Sequence, residues 1–262
     1  MTEQLQRLLK AANIGGIQSC ECYGLDPSGH YDLLVVAPSW KPTIILPPEQ
    51  FQVECTAVHS YTSGYEVRQG RLRIGWVQTS AGGGSVIDEL SVCTALNVDK
   101  LVFLGAVGSL VPGFALGDVC TPRLSIDGGM ARAYLSDDLR RYRPFETVYP
   151  NDPDFVHRVV ELAARQGVTI KPATVFCTDS IFGEYAHLEF IKSLGAELIE
   201  METACFYHMA ALMEKPAVAL LAVSDNSATG DPLLGRTEAH IQPYDLARKA
   251  IIPQLLAGIA SL

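Results

Sequence analysis

The chain has 262 residues, 48% of them hydrophobic and 19% charged, enough to bury one substantial core and ordinary for a soluble globular protein. A formal net charge of −9 argues against a nucleic-acid backbone or an anionic membrane as partner, because like charges repel. No apolar run approaches the ~18 residues that a membrane span needs, and residues 2 to 12 lack the apolar centre of a signal peptide. A cytoplasmic protein acting on a small molecule is the expectation.

In chain order, residues 2 to 14 read as an amphipathic helix, with Thr2 as cap, Leu5, Leu8 and Leu9 as apolar stripe, and Gly15-Gly16 as stop. Leu33 to Ala37 and Thr43 to Leu46 are apolar runs bounded by Pro38, Pro42 and Pro47, which predicts two short strands. Tyr65 to Arg68 and Leu72 to Gln78 alternate around Gln69-Gly70, a hairpin pattern. The strand ending near Thr79 meets Gly82-Gly83-Gly84 and then Ser85, which is placed to cap a helix with Asp88 three residues on. That helix turns Val86, Leu90 and Cys93 inward and ends near Asn97. Lys100 to Leu104 is the next buried strand, closed by Gly105-Ala106-Val107-Gly108.

Gly117 to Pro122 and Arg123 to Ile126 predict two further short strands, and residues 130 to 151, without periodicity, a long mobile loop. Asp152-Pro153 opens a helix that runs to Gln166 and stops at Gly167. Ala173 to Cys177 reads as a strand, Ala186 to Leu194 as a helix stopped by Gly195, and Glu197 to Glu200 as another strand. A helix-like segment leads to the all-apolar run Ala217 to Val223, which empties into Ser224-Asp225-Asn226. A last helix spans Tyr244 to Ala260 with an interruption at Pro253. Strands alternating with helices make this an α/β protein. A single domain, residues 1 to 262, is expected around a central mixed, largely parallel sheet flanked by helices.

Seven scattered cysteines suit thiols in a reducing compartment. The one close pair, Cys20-Glu21-Cys22, has no second pair at zinc spacing, so no metal is expected. Four features carry chemistry, each beside a plainer alternative. Gly82 to Ser85 is a tight turn or an anion cradle at a helix start, and lacks the Gly-Lys-Ser/Thr of a nucleotide-phosphate loop. Gly105 to Gly108 is a turn or a place where a ligand approaches the backbone. Asp225, ending an apolar strand, is a helix cap or a half-desolvated general acid. Glu200 and Glu202 share one strand face and need a polyol or other donors there, or they begin a solvated helix.

Taken together, LVFLGAVGSLVPGFALGDVCTP (101 to 122), TDSIF (178 to 182), IEMETA (199 to 204) and VSDN (223 to 226) resemble the nucleoside phosphorylase superfamily. That family comprises purine nucleoside and uridine phosphorylases and the adenosylhomocysteine, methylthioadenosine and AMP nucleosidases. The resemblance covers roughly residues 33 to 260. It implies a nucleoside phosphorylase-like fold and a catalytic pair: Glu202 on the ribose hydroxyls and Asp225 protonating the purine at N7. Met201 and Glu200 beside the sugar, Ile181 and Phe182 on the base, and Ala106, Val107 and Gly108 along the pocket are the implied substrate contacts. Gly82, Gly84, Ser85, Gly105 and Lys41 fall to the phosphate or nucleophile site.

The chain also departs from the family pattern. Phosphorolytic members carry an arginine where Phe103 stands and often a hydroxyl residue where Ala106 stands. Their G-D-P-x-R loop is here Ala37-Pro38-Ser39-Trp40-Lys41, and a lysine supplies a point charge but no bidentate fork. The water-activating glutamate of hydrolytic members is absent from that loop, with Glu49 a distant substitute. The Gln and Arg that uridine phosphorylases use after the TDSIF-like motif are also absent, which favours purines. The resemblance implies an enzyme, a nucleoside phosphorylase of purine salvage. It would release free base and ribose 1-phosphate, with inorganic phosphate as co-substrate, no other cofactor, and a homo-oligomer (dimer or trimer of dimers) as its assembly. Hydrolysis, or a binding and regulatory role without phosphate chemistry, are the alternatives. A dinucleotide-dependent oxidoreductase would rest on glycines near strands alone.

Overall fold

The structure, a computed structural model, describes residues 1–13 and 19–262, the side chains of Ser19 and Cys20 excepted. Gly15-Gly16 and the Cys20 side chain therefore fall outside what is described. Helix α1 (Glu3–Ala11) is capped by the Thr2 hydroxyl and buries Leu5 and Leu9. After a single turn, α2 (Ser19–Cys22), strand β1 (His30–Pro38) enters the sheet. Thr43 to Leu46, expected as a strand, belongs instead to a helical turn, α3 (Pro42–Ile45). Pro42 at its first position has no N–H to lose, and Pro47 holds Leu46 extended and ends it.

Strands β2 (Gln52–Val58), β3 (Ser63–Gln69) and β4 (Leu72–Thr79) form an antiparallel meander. The sequence conceals β2, because it lies at the sheet edge and alternates weakly. Helix α4 (Gly83–Val92) begins two residues earlier than Ser85, with Gly82 as its cap at φ +102°, so Ser85 and Asp88 form no capping box. Strand β5 (Asn97–Ser109) does not stop at Gly105 but runs through Gly108. The two strands expected between residues 117 and 126 are one, β6 (Val119–Asp127), with a bulge between Pro122 and Leu124 that accommodates the missing proline N–H.

Residues 130 to 151 hold two 3₁₀ turns and β7 (Thr147–Val148). Arg132 ties this segment down through Asp127 at 2.7 Å and Glu146 at 2.6 Å, so it is anchored rather than loose. Helix α5 (Pro153–Arg165) and β8 (Ile170–Cys177) follow, then a 3₁₀ turn (Gly183–His187) that shortens the next helix to α6 (Leu188–Ser193). Strand β9 (Leu198–Glu200), helix α7 (Thr203–Met213) and strand β10 (Ala217–Asn226) complete the centre. The last helix starts earlier than its pattern suggests: α8 (Glu238–Leu246) passes through a π turn (Ala247–Ile251) into α9 (Ile252–Ala260). The interruption lies just before Pro253, whose ring would clash with the carbonyl four residues back.

The sheet is mixed. Its central run β10-β5-β1-β4 is parallel, as is β6-β8-β9, while β10 against β6 and β5 against β9 are antiparallel. Through these ladders β5, β10, β6, β8 and β9 close into a ring, and β1, β4, β3 and β2 extend from it. Strand alternation divides the core between two faces. Leu101 and Phe103 face the α4 and α7 side, whereas Val102 and Leu104 face α5 and α9. Among the described residues no helix is long and apolar enough to cross a membrane.

Candidate active site

The carboxyl ends of β1, β5, β9 and β10 meet on one side of the molecule, where open α/β sheets bind ligands. They surround a cleft of about 310 Å³. Ser39 and Trp40 follow β1, Gly105 to Gly108 come from β5, Glu200 to Glu202 follow from β9, and Ser224 and Asp225 come from β10. Of the residues expected on the substrate, Asp225, Glu202, Met201, Glu200, Ile181, Ala106, Val107 and Gly108 line this cleft, as does Gly105.

Asp225 is aimed by the sheet. The β5–β10 register slips between Val223 and Asp225, a bulge that sets Asp225 opposite Gly108. A Cβ on Gly108 would lie 2.8 Å from the Asp225 Oδ2, so glycine there is what lets the carboxyl in. The Ser224 hydroxyl donates to Asp225 Oδ1 at 2.6 Å. Burial raises the Asp225 pKa, against the Ser224 hydrogen bond and the nearby Arg236 charge, which lower it.

The two glutamates of Glu200-Met201-Glu202 do not share a strand face, because β9 ends at Glu200 and Glu202 is already the cap residue of α7. Glu200 turns under the helix start and accepts from four donors. These are the Cys177 thiol at 2.8 Å, the Glu202 N–H at 2.8 Å, and the N–H and hydroxyl of Thr203, each at 2.9 Å. Burying a lone carboxylate costs several kcal/mol, and about 1.5–3 kcal/mol from each charge-assisted bond offsets it. Glu200 is thus held by the protein on four sides while it still lines the cleft. Glu202 has fewer donors, the Gly82 N–H at 2.6 Å and the Met201 N–H at 3.3 Å. Burial first, and then the Glu200 charge, push it up to about 8.

The remaining predictions sit elsewhere. Gly82, Gly84 and Ser85 do not line the cleft. Gly82 donates its N–H to Glu202 Oε1, so this turn braces a carboxyl that lines the cleft. Lys41 lies in an adjoining polar pocket with His59 and Thr79, which shares Ser39 and Ala81 with the cleft. Phe182 is 72% exposed and faces a side cavity of about 410 Å³ that joins the cleft at Asp225 and Leu233. Phe103 is buried in the core, its ring 5.4 Å from that of Phe206. A Cβ on Gly105 would meet the Phe103 ring at 2.8 Å, so the ring fills the space beneath that strand.

Sequence reasoning passed over Glu184, Tyr244 and Arg248, all in the cleft wall. Glu184 stands two residues after the quoted TDSIF motif, which was the available signal. Burial, then the charge of Asp225, push it up to about 7. Tyr244 lies between two guanidiniums, Arg248 at 5.1 Å and Arg236 at 5.5 Å from its ring centre, and its edge meets Trp40. No spacing rule links residues 40 and 244; only the fold brings them together.

Residues 50–251 match the family model of the phosphorylase superfamily. The chain belongs to the phosphorylase superfamily. Within that superfamily it is similar to the DeoD-type purine nucleoside phosphorylase of Anoxybacillus flavithermus, 32% identical over 136 residues, which is 52% of this chain and 55% of the relative. The DeoD-type enzyme of Bacillus subtilis is 27% identical over 137 residues, again 52% of this chain and 55% of the relative. The chain thus spans about half the length of the curated relatives it matches. Among solved structures, an MTAN variant of Helicobacter pylori with 5′-methylthioadenosine in its active site superposes with a TM-score of 0.68 at 17% identity. It covers 89% of this chain and 99% of the other. A futalosine hydrolase mutant of the same organism gives 0.65 at 15% identity, over 86% and 99%. These likenesses show that the phosphorylase-superfamily fold is shared with hydrolases as well as phosphorylases.

Proposed function

We propose that this protein cleaves the N-glycosidic bond of a purine nucleoside or a related metabolite, with phosphate as the attacking group. The observation that supports this most is the convergence of Asp225 and Glu202 on one cleft from opposite ends of the Glu200 to Asp225 stretch. Ribose hydroxyls would donate to Glu202, and those added donors favour its ionised form. As the bond between C1′ and the base breaks, its electron pair moves into the purine and Asp225 delivers a proton to N7. The sugar becomes oxocarbenium-like, and a phosphate oxygen closes on C1′ to give ribose 1-phosphate and free base.

For phosphate the favouring observation is Arg248, a guanidinium that lines the cleft with Ser39 and Trp40, where the chain lacks the family arginines. Hydrolysis is the second reading, favoured by Phe103, which fills the expected arginine position with core. Base release from a nucleoside panel, with and without phosphate, tests both. Ribose 1-phosphate as product supports the first and ribose the second. Nucleoside binding by calorimetry without any base release would instead indicate a binding protein that has lost the chemistry. Assembly into a homo-oligomer, measurable by sedimentation, is part of the same reading.

A further inference from the structure

Helix α7 begins without help from the side chain of its own cap residue. An N-cap side chain ordinarily accepts from the N–H of the second or third helical residue, yet the Glu202 carboxyl makes no such bond. The amides at this helix start find other acceptors. Glu200 takes those of Glu202 and Thr203, and the sulfur of Cys177 takes that of Ala204, the second helical residue, at 3.2 Å. The same sulfur donates its S–H to Glu200 Oε1 at 2.8 Å. Parallel pairing of β8 with β9 sets Cys177 beside Glu200, so the sheet itself builds this arrangement.

The sulfur accepts and donates at once only as a thiol. Burial, then the Glu200 charge, keep it in that form by raising its pKa. Cys177 and Ala204 are both buried, and an N–H left unpaired there would carry its full desolvation penalty. The acceptor that a cap position offers to such an N–H is its own side chain, here the Glu202 carboxyl. Cys177 removes that demand. The Glu202 oxygens are left to the Gly82 N–H, at 2.6 Å, and to the cleft that Glu202 lines.

We propose that Cys177 is a positioning residue: by capping α7 in place of Glu202 and donating to Glu200, it keeps the Glu202 carboxyl available to a ligand in the cleft. The consequence for catalysis rests on the reading of Glu202 as the contact to the ribose hydroxyls; the placement of Glu202 does not.

The test compares Cys177→Ala, which removes both bonds, with Cys177→Ser, whose hydroxyl also accepts and donates, and uses thermal melts to verify folding. The first measurement is hydrogen exchange of the Gly82 amide, read against the amides bonded within β4 and α4 on either side. In Cys177→Ala, Glu202 turns back to cap α7, and Gly82 should exchange about tenfold faster than in the wild type while those neighbours hold their rates. Cys177→Ser should restore the wild-type rate. Unchanged exchange at Gly82, or an equal rise at all of these amides, overturns the proposal.

The second measurement is kcat/KM for adenosine against 2′-deoxyadenosine, which lacks one of the hydroxyls assigned to Glu202. In Cys177→Ala the riboside-to-deoxyriboside ratio should fall about tenfold, the worth of one hydrogen bond to a charged group, and Cys177→Ser should restore it. Loss of both activities at a constant ratio, with Gly82 exchange unchanged, marks a merely structural role and overturns the proposal. A constant ratio beside faster Gly82 exchange upholds the placement of Glu202 by Cys177 and removes the ribose reading of Glu202. If the wild type cleaves neither nucleoside, the glycosidic reading falls and Gly82 exchange still decides the role of Cys177.

Discussion

The two ends of the cleft are built on different principles. In the cleft itself, Asp225 on β10, Glu202 at the start of α7 and Glu184 on the 3₁₀ turn Gly183–His187 are desolvated acids, each raised above its ordinary range by burial. Around Ser39 to Lys41 the groups are hydroxyls and cations, with Lys41 exposed and Arg248 already bonded to Asp245 at 2.8 Å. Asp225 and Glu202 are set by β10 and the start of α7, whereas Ser39 to Lys41 lie on the segment between β1 and α3. An acidic cluster held by the sheet and a helix start therefore faces a side of hydroxyls and cations, in a superfamily whose fold is shared by phosphorylases and hydrolases.

The comparison can be broken at its strongest point by Asp225→Asn. Turnover on any purine nucleoside that the wild type cleaves should fall by about 10³-fold, ~4 kcal/mol, with the fold intact. Full activity in this variant would remove the assigned acid. Glu200→Ala tests the buried network at the start of α7. It leaves four inward-pointing donors unpaired and should cost about 3 kcal/mol of stability in chemical denaturation. A merely surface-like loss below ~0.5 kcal/mol would show that the network carries nothing.

Gly108→Ala probes the rigidity of the same end. The added methyl displaces Asp225 and should lower kcat about 10²-fold, as misplacements of ~1 Å do, with a smaller change in melting temperature. The pH response of Glu202 is subtler. Its folded pKa, about 8, lies above its unfolded value. The stability it contributes is therefore full below the unfolded pKa and is lost as pH rises through about 8. Glu202→Gln removes that loss, so melting curves of variant and wild type should draw apart in the variant's favour between pH 5 and pH 9. At the other end of the cleft the smallest effect is expected. Lys41→Ala should leave stability within about 0.5 kcal/mol and raise the KM for phosphate only a few-fold, by loss of one exposed point charge.

Most of the central strands and α5 could be read from apolar runs and their punctuation, because Asp152-Pro153, Gly167 and the run Ala217 to Val223 are local signals. Errors fell where a local signal had two uses. Pro42 bounds a strand or starts a helix, and Ser85 caps a helix or sits inside one whose cap is Gly82. In the site, the carboxyls at 202 and 225 were visible as acids next to apolar segments. That Glu200 is spent on the protein was not, since its partners Cys177 and Thr203 come together only when β8 and β9 pair.

By itself the sequence determined the α/β class, the order of the main strands and the acids that stand at the ends of apolar segments. Hydrophobic period and residue chemistry are local properties, carried by neighbours in the chain. Tertiary structure alone decided which of two nearby glutamates is held by four protein donors, that Phe103 belongs to the core, and that Glu184 and Arg248 line the cleft. Those outcomes depend on contacts between residues tens to hundreds of positions apart, such as Gly82 with Glu202 and Trp40 with Tyr244, and no local pattern encodes them.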